Sequence, residues 1–249
     1  MKVSIITVSF NSASTIEDTI RSVSAQTHPD IEYIIVDGNS ADDTLSIIKK
    51  YKDKITTLVS EKDKGIYYAL NKGIDLATGH VIGTLHSDDV YASSEIISNV
   101  VKCFKEKKVD TVYGDLQYVN RDDLNKVKRY WQAEQYTDGL FLKGWMPPHP
   151  TFFVKKECYE KYGKFNTLLK SSADYELMLR FLHKYKVSTA YIPEVIVKMR
   201  SGGQSNLSIS NRIKANKEDR LAWKLNGLTP GLFTTIAKPL SKLGQFLIR

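Results

Sequence analysis

Two adjacent carboxylates, Asp88 and Asp89, follow the apolar run from Val81 to Leu85. Such a run predicts a buried strand, so the pair would lie where that strand leaves a sheet. Ligands of open α/β sheets bind beyond the carboxyl ends of the strands, and paired carboxylates there suit Mg²⁺ or Mn²⁺ holding a nucleotide diphosphate. Taken alone, the pair fits an ordinary loop turn equally well.

Two further acidic pairs serve as internal comparisons. Asp122 and Asp123 lie in the polar stretch 120–125, which predicts a solvated turn. Asp42 and Asp43 follow Ser40, where acids would be favoured at a helix N-terminus. Only Asp88 and Asp89 have a predicted strand in front of them.

The chain has 249 residues, of which 42% are hydrophobic, and this suits one large α/β domain. A net charge of +8 favours anionic partners. Because the basic residues are scattered and match no nucleic-acid-binding module, we expect no nucleic acid partner. Two cysteines, Cys103 and Cys158, are too few for a disulfide framework and predict reduced thiols.

The start of the chain predicts a strand and not a signal peptide. Residues 1–10 carry one positive charge, and Ser and Thr interrupt the apolar stretch. No segment approaches the run of about 18 apolar residues that spans a bilayer. We therefore expect a cytoplasmic protein that is not integral to a membrane.

The first half of the chain alternates strand and helix patterns. A capping-box pattern at Ser14 to Glu17 opens a helix with an apolar face at Ile16, Ile20 and Val23. Predicted strands cover 2–10, 31–36, 55–59, 81–85 and 109–113, and predicted helices include residues 45–51, 66–77 and 94–107. This order predicts an α/β fold with a mainly parallel sheet and helices on both faces.

After about residue 120 this alternation stops. A charged, aromatic stretch precedes Pro147, Pro148, His149 and Pro150, whose prolines exclude a regular element. Strands over 151–154 and 189–198 and helices over 157–162 and 173–185 follow. The last helix would seat the side chains on one face against the sheet, namely Met178, Phe181, Leu182 and Tyr185.

These residues, in this order, resemble family 2 glycosyltransferases of the GT-A fold over about 2–205. The segments that carry the resemblance are residues 3–11, 36–40, 63–67, 71–73, 87–89, 149–153, 173–177 and 202–205. The resemblance implies transfer of a sugar, with inversion, from a nucleotide-sugar donor, expected to be UDP-linked, to an acceptor hydroxyl. It further implies a divalent metal, Mn²⁺ or Mg²⁺, and bacterial surface-polysaccharide synthesis. Lys62 and Tyr68 depart from the family pattern and leave the donor open.

The resemblance assigns the donor site to the carboxyl ends of the first strands. Asp37 would contact the nucleoside, with an Asx turn as the alternative. Val8 and Phe10 would line the same site. Asp63 and Lys64 would approach the nucleotide, although a solvated charged turn explains them nearly as well.

Asp88, Asp89 and Asp174 are the candidates for metal binding and catalysis. We expect Asp89 to ligate the metal directly, and Asp88 to contact the ribose or to reach the ion through water. Inversion needs a base opposite the leaving group, and the resemblance assigns it to Asp174 at the start of a helix. The alternatives are a plain helix-capping role for Asp174 and a secondary base, Glu176.

Five other side chains remain open. His149 would serve the acceptor side or the structure of its proline-rich turn. Tyr130, Trp131 and Trp145 would stack on sugars or pack in the core. Arg200 would reach the diphosphate from a flexible loop.

We divide the chain into a catalytic domain, 1–205, and a helical extension, 206–249. Within the domain, 1–119 would bind the nucleotide sugar and 120–205 the acceptor, a saccharide or lipid-linked oligosaccharide. The tail places apolar side chains on one helical face, namely Leu240, Leu243, Leu247 and, less centrally, Phe246. This pattern fits peripheral contact with an anionic membrane and, equally, packing on the globule.

Two competing classes are less favoured. A nucleotidyltransferase would carry a Gly-rich basic loop after the first strand, and residues 10–14 contain neither glycine nor a basic residue. A nucleotide-sugar-binding pseudoenzyme or partner subunit would lack one acidic centre, whereas Asp89 and Asp174 are both present. Homo-oligomer formation is left open.

Overall fold

A computed structural model describes residues 1–202, 209–231 and 234, with the side chains of 209–215 left out. The strands are β1 (Val3–Ser9), β2 (Ile31–Asp37), β3 (Thr57–Ser60), β4 (Val81–Thr84), β5 (Asp89–Tyr91), β6 (Thr111–Val119), β7 (Val127–Trp131), β8 (Phe153–Lys155) and β9 (Thr189–Arg200). The helices are α1 (Ile16–Ser24), α2 (Thr44–Lys50), α3 (Ile66–Leu76), α4 (Ile96–Lys107), α5 (Lys156–Tyr162), α6 (Ala173–Met178) and α7 (Ile209–Leu225).

The described strands form one sheet in the order β3-β2-β1-β4-β8-β6-β9-β5, with β7 also paired to β6. Strands β3, β2, β1 and β4 are parallel, as expected when helices connect them. The second half is mixed, because β8 runs antiparallel to both β4 and β6 while β9 is parallel to β6. The predicted α/β fold class is confirmed, and the parallel pairing is concentrated in the first half.

The capping box predicted for α1 is wrong. Thr15 occupies the N-cap without a side-chain capping bond. Glu17 instead accepts hydrogen bonds from Tyr51 Oη at 2.6 Å and Arg21 Nη2 at 2.9 Å. The carboxylate therefore links α1 to the residue that follows α2. The predicted apolar face of α1 is buried as expected.

Two predictions for the second half need correction. Residues 127–131 form β7, an antiparallel partner of β6, where no strand was predicted. The helix predicted over 173–185 changes at Leu179–Lys184 into a π-helical turn. Its predicted face is buried except for Tyr185, which is 43% exposed. The Tyr185 ring stacks on Tyr162 at 4.5 Å between centroids.

Among the described residues, no helix is long and apolar enough to cross a membrane. Both cysteines are unpaired, and burial raises the pKa of the Cys158 thiol to about 11. The predicted division at residues 119 and 205 stays a prediction. So does the membrane contact of the tail, because its apolar residues from Leu240 to Leu247 lie outside the described residues.

A buried carboxylate ties the amino ends of the central strands together. Glu32 of β2 accepts hydrogen bonds from Lys2 Nζ at 2.9 Å, Ser4 Oγ at 2.5 Å and the Thr78 backbone N–H at 2.7 Å. Burial raises the pKa of Glu32, but the hydrogen bonds from Ser4, Thr78 and Lys2 outweigh it and lower the pKa to about 2. The ionised form of Glu32 is therefore the one that stabilises the fold.

This carboxylate should make stability depend on pH. A folded pKa of about 2, below the ordinary value of 4.5, adds stability above pH 4.5 that is lost as the pH falls towards 2. We expect Glu32→Gln to lower the free energy of unfolding at pH 7 by roughly 2 kcal/mol. The deficit should shrink below pH 4.5 in urea denaturation experiments. Glu106→Gln, at an exposed position, should change little at any pH, and a deficit for Glu32→Gln that is constant with pH would contradict this account.

Candidate active site

Asp89 is a fully buried carboxylate. Strand β4 ends at Thr84, and Asp89 opens β5, where it pairs with Met199 of β9. Asp88 therefore lies in the turn between the two strands, and Asp89 begins β5, so the pair does not directly follow β4. Asp89 is 0% exposed, and neither of its carboxylate oxygens has a hydrogen-bond partner among the described residues.

Electrostatics disfavour a charge on Asp89 in the protein alone. Burial raises its pKa well above the ordinary value, and the neighbouring charge of Asp88 adds to that effect. The backbone N–H and guanidinium of Arg200 oppose the shift without satisfying the carboxylate oxygens. Burying an unpaired carboxylate costs free energy, and a cation beside it would remove that cost.

The donor set at this position fits a metal that is shared with a substrate. The described part of the chain contains no group of three or more His, Cys, Asp or Glu side chains able to hold an ion by themselves. Mg²⁺ is commonly held by one or two carboxylates together with substrate phosphates and water. Asp89, with the half-buried Asp88 beside it, provides that kind of partial site.

Arg200 does not reach out from a flexible loop, contrary to the expectation from sequence. It is the last residue of β9 and is 4% exposed. Its Nε and Nη1 donate to the backbone carbonyls of Arg121 and Asp88, both at 2.9 Å, and Nη2 pairs with Asp18. The guanidinium therefore holds the backbone of the loop between β4 and β5, which contains Asp88.

Asp174 lies in the first turn of α6, and its side chain is 19% exposed. Tyr67 Oη, from α3, donates a hydrogen bond to Asp174 Oδ1 at 3.3 Å. His149 Nδ1, from the 3₁₀ turn His149–Thr151, is 3.2 Å from Asp174 Oδ2. Both carboxylate oxygens are therefore engaged from other elements, while the group keeps access to solvent.

Contacts of His86 connect the two acidic centres: its carbonyl accepts from the Asp89 N–H at 3.0 Å, and its ring lies 5.9 Å from the ring of His149, the partner of Asp174. Burial lowers the pKa of His86, whereas the charges of Asp88 and Asp174 raise it. Burial also raises the pKa of Tyr118, which is lowered by Arg129 and raised by Asp89 and Asp174. No sequence motif singled out His86 or Tyr118. For His86, the available sequence signal was its position two residues before Asp88.

Asp37 has a structural role at the carboxyl ends of the parallel strands. Its Oδ1 accepts from Ser9 Oγ at 3.0 Å and Ser40 Oγ at 2.5 Å, and its Oδ2 accepts from the Ser40 N–H at 2.9 Å and Ser60 Oγ at 2.8 Å. Four donors fill the acceptor sites of a carboxylate. The predicted Asx-type turn is therefore part of a larger network that joins β1, β2 and β3.

The other residues predicted to bind the donor lie along the same edge of the sheet. They are Val8, Phe10, Asp63 and Lys64. Val8 is 7% exposed and Phe10 is 60% exposed. Asp63 accepts from Lys72 Nζ at 2.7 Å, and its second oxygen is buried without a partner among the described residues. Lys64 is exposed. The alternative of a solvated charged turn therefore fits Lys64 but does not fit Asp63.

The segment 71–73 anchors α3. Asn71 forms two hydrogen bonds, both of 2.9 Å, with the backbone of Phe165. A Cβ atom at Gly73 would lie 2.4 Å from Ile6 Cγ2, so only glycine allows α3 this close to β1. Both contacts fix the helix that carries Tyr67.

The aromatic side chains proposed for sugar stacking are used in packing. Tyr130 Oη donates to the buried Asp115 carboxylate, and Trp131 is 6% exposed. Trp145 packs edge-on against Phe141 at 5.8 Å between ring centroids. The packing alternative describes all three side chains.

Glu176 has a structural role. It is 3% exposed, and its Oε1 and Oε2 accept from Arg180 Nε at 2.9 Å and Nη2 at 3.0 Å. Asn226 Nδ2 adds a hydrogen bond to Oε1 at 3.1 Å. A carboxylate held by three N–H donors cannot readily accept the proton of a substrate.

Helix α7 supports the segment that carries Asp174. Glu218 accepts hydrogen bonds from the backbone N–H groups of residues 170, 171 and 172 at 2.7–3.2 Å. Trp223 Nε1 donates to Tyr175 Oη at 2.9 Å. The described part of the C-terminal extension therefore packs on α6.

The two acidic pairs used for comparison behave as expected. Asp123 is exposed, and its Oδ1 accepts from the Asn125 N–H at 2.9 Å in a surface turn. Asp42 Oδ1 accepts from the Thr44 N–H at 3.1 Å at the start of α2. Neither pair is buried at the start of a strand, as Asp89 is.

The fold matches GT-A-like solved structures. S. aureus TarS 1–349, in complex with UDP-GlcNAc, superposes with a TM-score of 0.74 at 19% identity, over 99% of this chain and 72% of that one. The mannosyltransferase PcManGT from Pyrobaculum calidifontis, with GDP-Man and Mn²⁺, gives a TM-score of 0.66 at 21% identity, over 95% and 68%.

Sequence comparison gives the particular family. The profile of glycosyl transferase family 2 matches residues 4–163. An uncharacterized glycosyltransferase of Mycobacterium tuberculosis is 30% identical over 181 residues, 72% of this chain and 68% of the relative. A PGL/p-HBAD biosynthesis glycosyltransferase of the same organism is 27% identical over 208 residues, 82% and 78%. The chain belongs to glycosyl transferase family 2.

The structural role of Glu176 can be tested by stability. Glu176→Gln leaves Arg180 without its carboxylate, so we expect the free energy of unfolding to fall by roughly 3 kcal/mol. Transfer activity per folded molecule should persist. Glu160→Gln breaks an exposed pair with Lys156 and should cost under about 0.5 kcal/mol. Loss of activity by Glu176→Gln without loss of stability, measured by chemical denaturation, would instead make Glu176 a catalytic group.

Proposed function

We propose that this family 2 glycosyltransferase is an inverting, metal-dependent enzyme. It would move a hexosyl or N-acetylhexosaminyl group from a nucleotide sugar to a hydroxyl group. The observation that carries the proposal is that His86 connects Asp89 with Asp174, since its carbonyl accepts from the Asp89 N–H at 3.0 Å and its ring lies 5.9 Å from the ring of His149, the partner of Asp174. One centre has a buried carboxylate without a partner, and the other has a carboxylate with solvent access.

The donor would bind along the carboxyl edge of β1, β2 and β3. Val8 and the exposed Phe10 would line the nucleoside site, whose loops Asp37 holds in shape through its four hydrogen bonds. Asp63 and Lys64 would approach the nucleotide from the start of α3. A UDP-linked donor is our choice of nucleotide, and S. aureus TarS, the solved structure bound to UDP-GlcNAc, favours it by likeness of fold.

Asp89 would hold a divalent cation, Mn²⁺ or Mg²⁺, with Asp88 reaching it through water or contacting the ribose. Such an ion, when bound, stabilises the departing nucleoside diphosphate as a Lewis acid. The buried position of Asp89 keeps water from competing for the carboxylate. Arg200 keeps the Asp88 backbone in place through its 2.9 Å hydrogen bond to the carbonyl.

Asp174 would act as the general base. Inversion requires that the acceptor hydroxyl attack from the face opposite the leaving group, and its proton must pass to a nearby acceptor. Asp174 keeps access to solvent, whereas Glu176 is committed to Arg180. The acceptor would therefore enter beside His149 and Tyr67.

The acceptor would be a saccharide or a lipid-linked oligosaccharide of bacterial surface-polysaccharide synthesis. The relative named for PGL/p-HBAD biosynthesis favours a glycolipid-type acceptor. The net charge of +8 favours peripheral contact with an anionic membrane. A cytoplasmic location at the inner face of the membrane would accommodate both.

A metal site at Asp89 predicts an unusual combination of effects. Asp89→Asn removes the metal ligand, so Mn²⁺-dependent binding of UDP should fall at least about tenfold, because losing a residue that only orients a metal ligand already costs about 10- to 100-fold. The same substitution removes an unpaired buried carboxylate, so the ligand-free melting temperature should stay equal or rise. Asp123→Asn should alter neither quantity. Equal metal-dependent affinity of the wild type and Asp89→Asn in calorimetry would contradict the assignment.

Catalysis by Asp174 predicts a loss of turnover without a loss of donor binding. Asp174→Asn keeps the shape and removes the basicity, so kcat should fall by roughly 10²- to 10⁴-fold. The Kd for the donor should remain within about twofold. A variant with wild-type kcat would show that another group takes the proton, and Asp123→Asn controls for loss of an acid elsewhere.

A further inference from the structure

We propose that Tyr67 and His149 are positioning residues that hold the carboxylate of Asp174 at two points, an arrangement we name the Asp174 clamp. This inference rests on the proposed role of Asp174 as the base. The clamp would orient one free lone pair of the carboxylate towards the acceptor hydroxyl.

The clamp engages each oxygen of Asp174 separately. Tyr67 Oη donates to Oδ1 at 3.3 Å, and His149 Nδ1 lies 3.2 Å from Oδ2. A carboxylate with a partner on each oxygen cannot rotate about its Cβ–Cγ bond without losing at least one of them. Each oxygen still keeps a second lone pair, which leaves room for the acceptor hydroxyl.

The chemistry of both partners suits donation to an anion. Burial, followed by the negative charge of Asp174, raises the pKa of Tyr67, so the phenol remains protonated and donates at neutral pH. A neutral imidazole that carries its proton on Nδ1 donates equally well to Oδ2.

Both clamp residues are fixed by rigid surroundings. The Tyr67 ring stacks on Phe165 at 5.6 Å between centroids, and Asn71 pins the Phe165 backbone. His149 lies between two prolines in its 3₁₀ turn, where Thr151 Oγ1 bonds the Pro148 carbonyl at 2.8 Å. Neither side chain therefore needs to become ordered during the reaction.

The clamp joins three elements that are far apart in the sequence. Tyr67 comes from α3 in the parallel half, and Asp174 and His149 come from the mixed half. Among the described residues, His86 and Tyr118 also have pKa values that the charge of Asp174 raises. Since neither is hydrogen-bonded to its carboxylate, orientation of the base depends on Tyr67 and His149.

The first test separates turnover from binding. Tyr67→Phe removes one oxygen atom, and His149→Ala removes the donor to Oδ2. Each should lower kcat by roughly 10- to 100-fold, the range seen when a supporting partner is lost, while KM for the donor stays within twofold. His149→Gln retains an N–H donor and should recover part of the lost kcat. Tyr51→Phe removes a comparable phenol–carboxylate bond to Glu17 and should leave kcat unchanged.

The second test asks whether the clamp acts through Asp174. If it does, Tyr67→Phe and His149→Ala should change the residual kcat by less than about twofold in an Asp174→Asn background. Effects that multiply in full would overturn the clamp, since the residues would then act independently. Wild-type kcat in both single variants, combined with the expected loss in Asp174→Asn, overturns the clamp alone. Wild-type kcat in Asp174→Asn overturns the base assignment and the clamp with it.

Discussion

The unpaired, fully buried carboxylate of Asp89 is the constraint on which the rest of the site depends. A buried, unpaired carboxylate lowers the free energy of unfolding, so it persists only where the surrounding fold holds it in place. Here β5 pairs with β9, and Arg200 at the end of β9 ties down the Asp88 backbone. The stability lost at Asp89 is offset elsewhere, for example by the saturated Glu32 network at the other ends of the strands.

The two halves of the sheet contribute different parts of the site. The parallel half aligns the carboxyl ends of β1, β2 and β3, where Asp37 joins their loops through four hydrogen bonds. The mixed half brings α6 and the His149 turn to the same edge. Helix α7 then secures the segment before Asp174 through Glu218. Asp174, the proposed base, therefore depends on residues outside the 4–163 region that the family profile matches.

Much of the fold and part of the site follow from local sequence. Alternating patterns predict the β-α units of the first half, and the strand before Asp88 and Asp89 distinguishes that pair from the pair at Asp122. The partners of Asp174 could not be predicted, because Tyr67 and His149 meet it only through tertiary packing. Likewise, Glu176 has a clear role only once Arg180 and Asn226 surround it. Strand β7 could not be predicted, because its charged residues interrupt the alternation that is typical of a strand.

We propose that Asp89 binds a metal ion shared with the donor diphosphate, across the site from Asp174. The most direct measurement is an anomalous difference map from crystals of the full chain grown with Mn²⁺ and UDP. We expect a single strong manganese peak beside the Asp89 carboxylate, in contact with the diphosphate and with Asp174 facing the open side. A diphosphate bound with no peak at Asp89, or with manganese at another carboxylate, would contradict it.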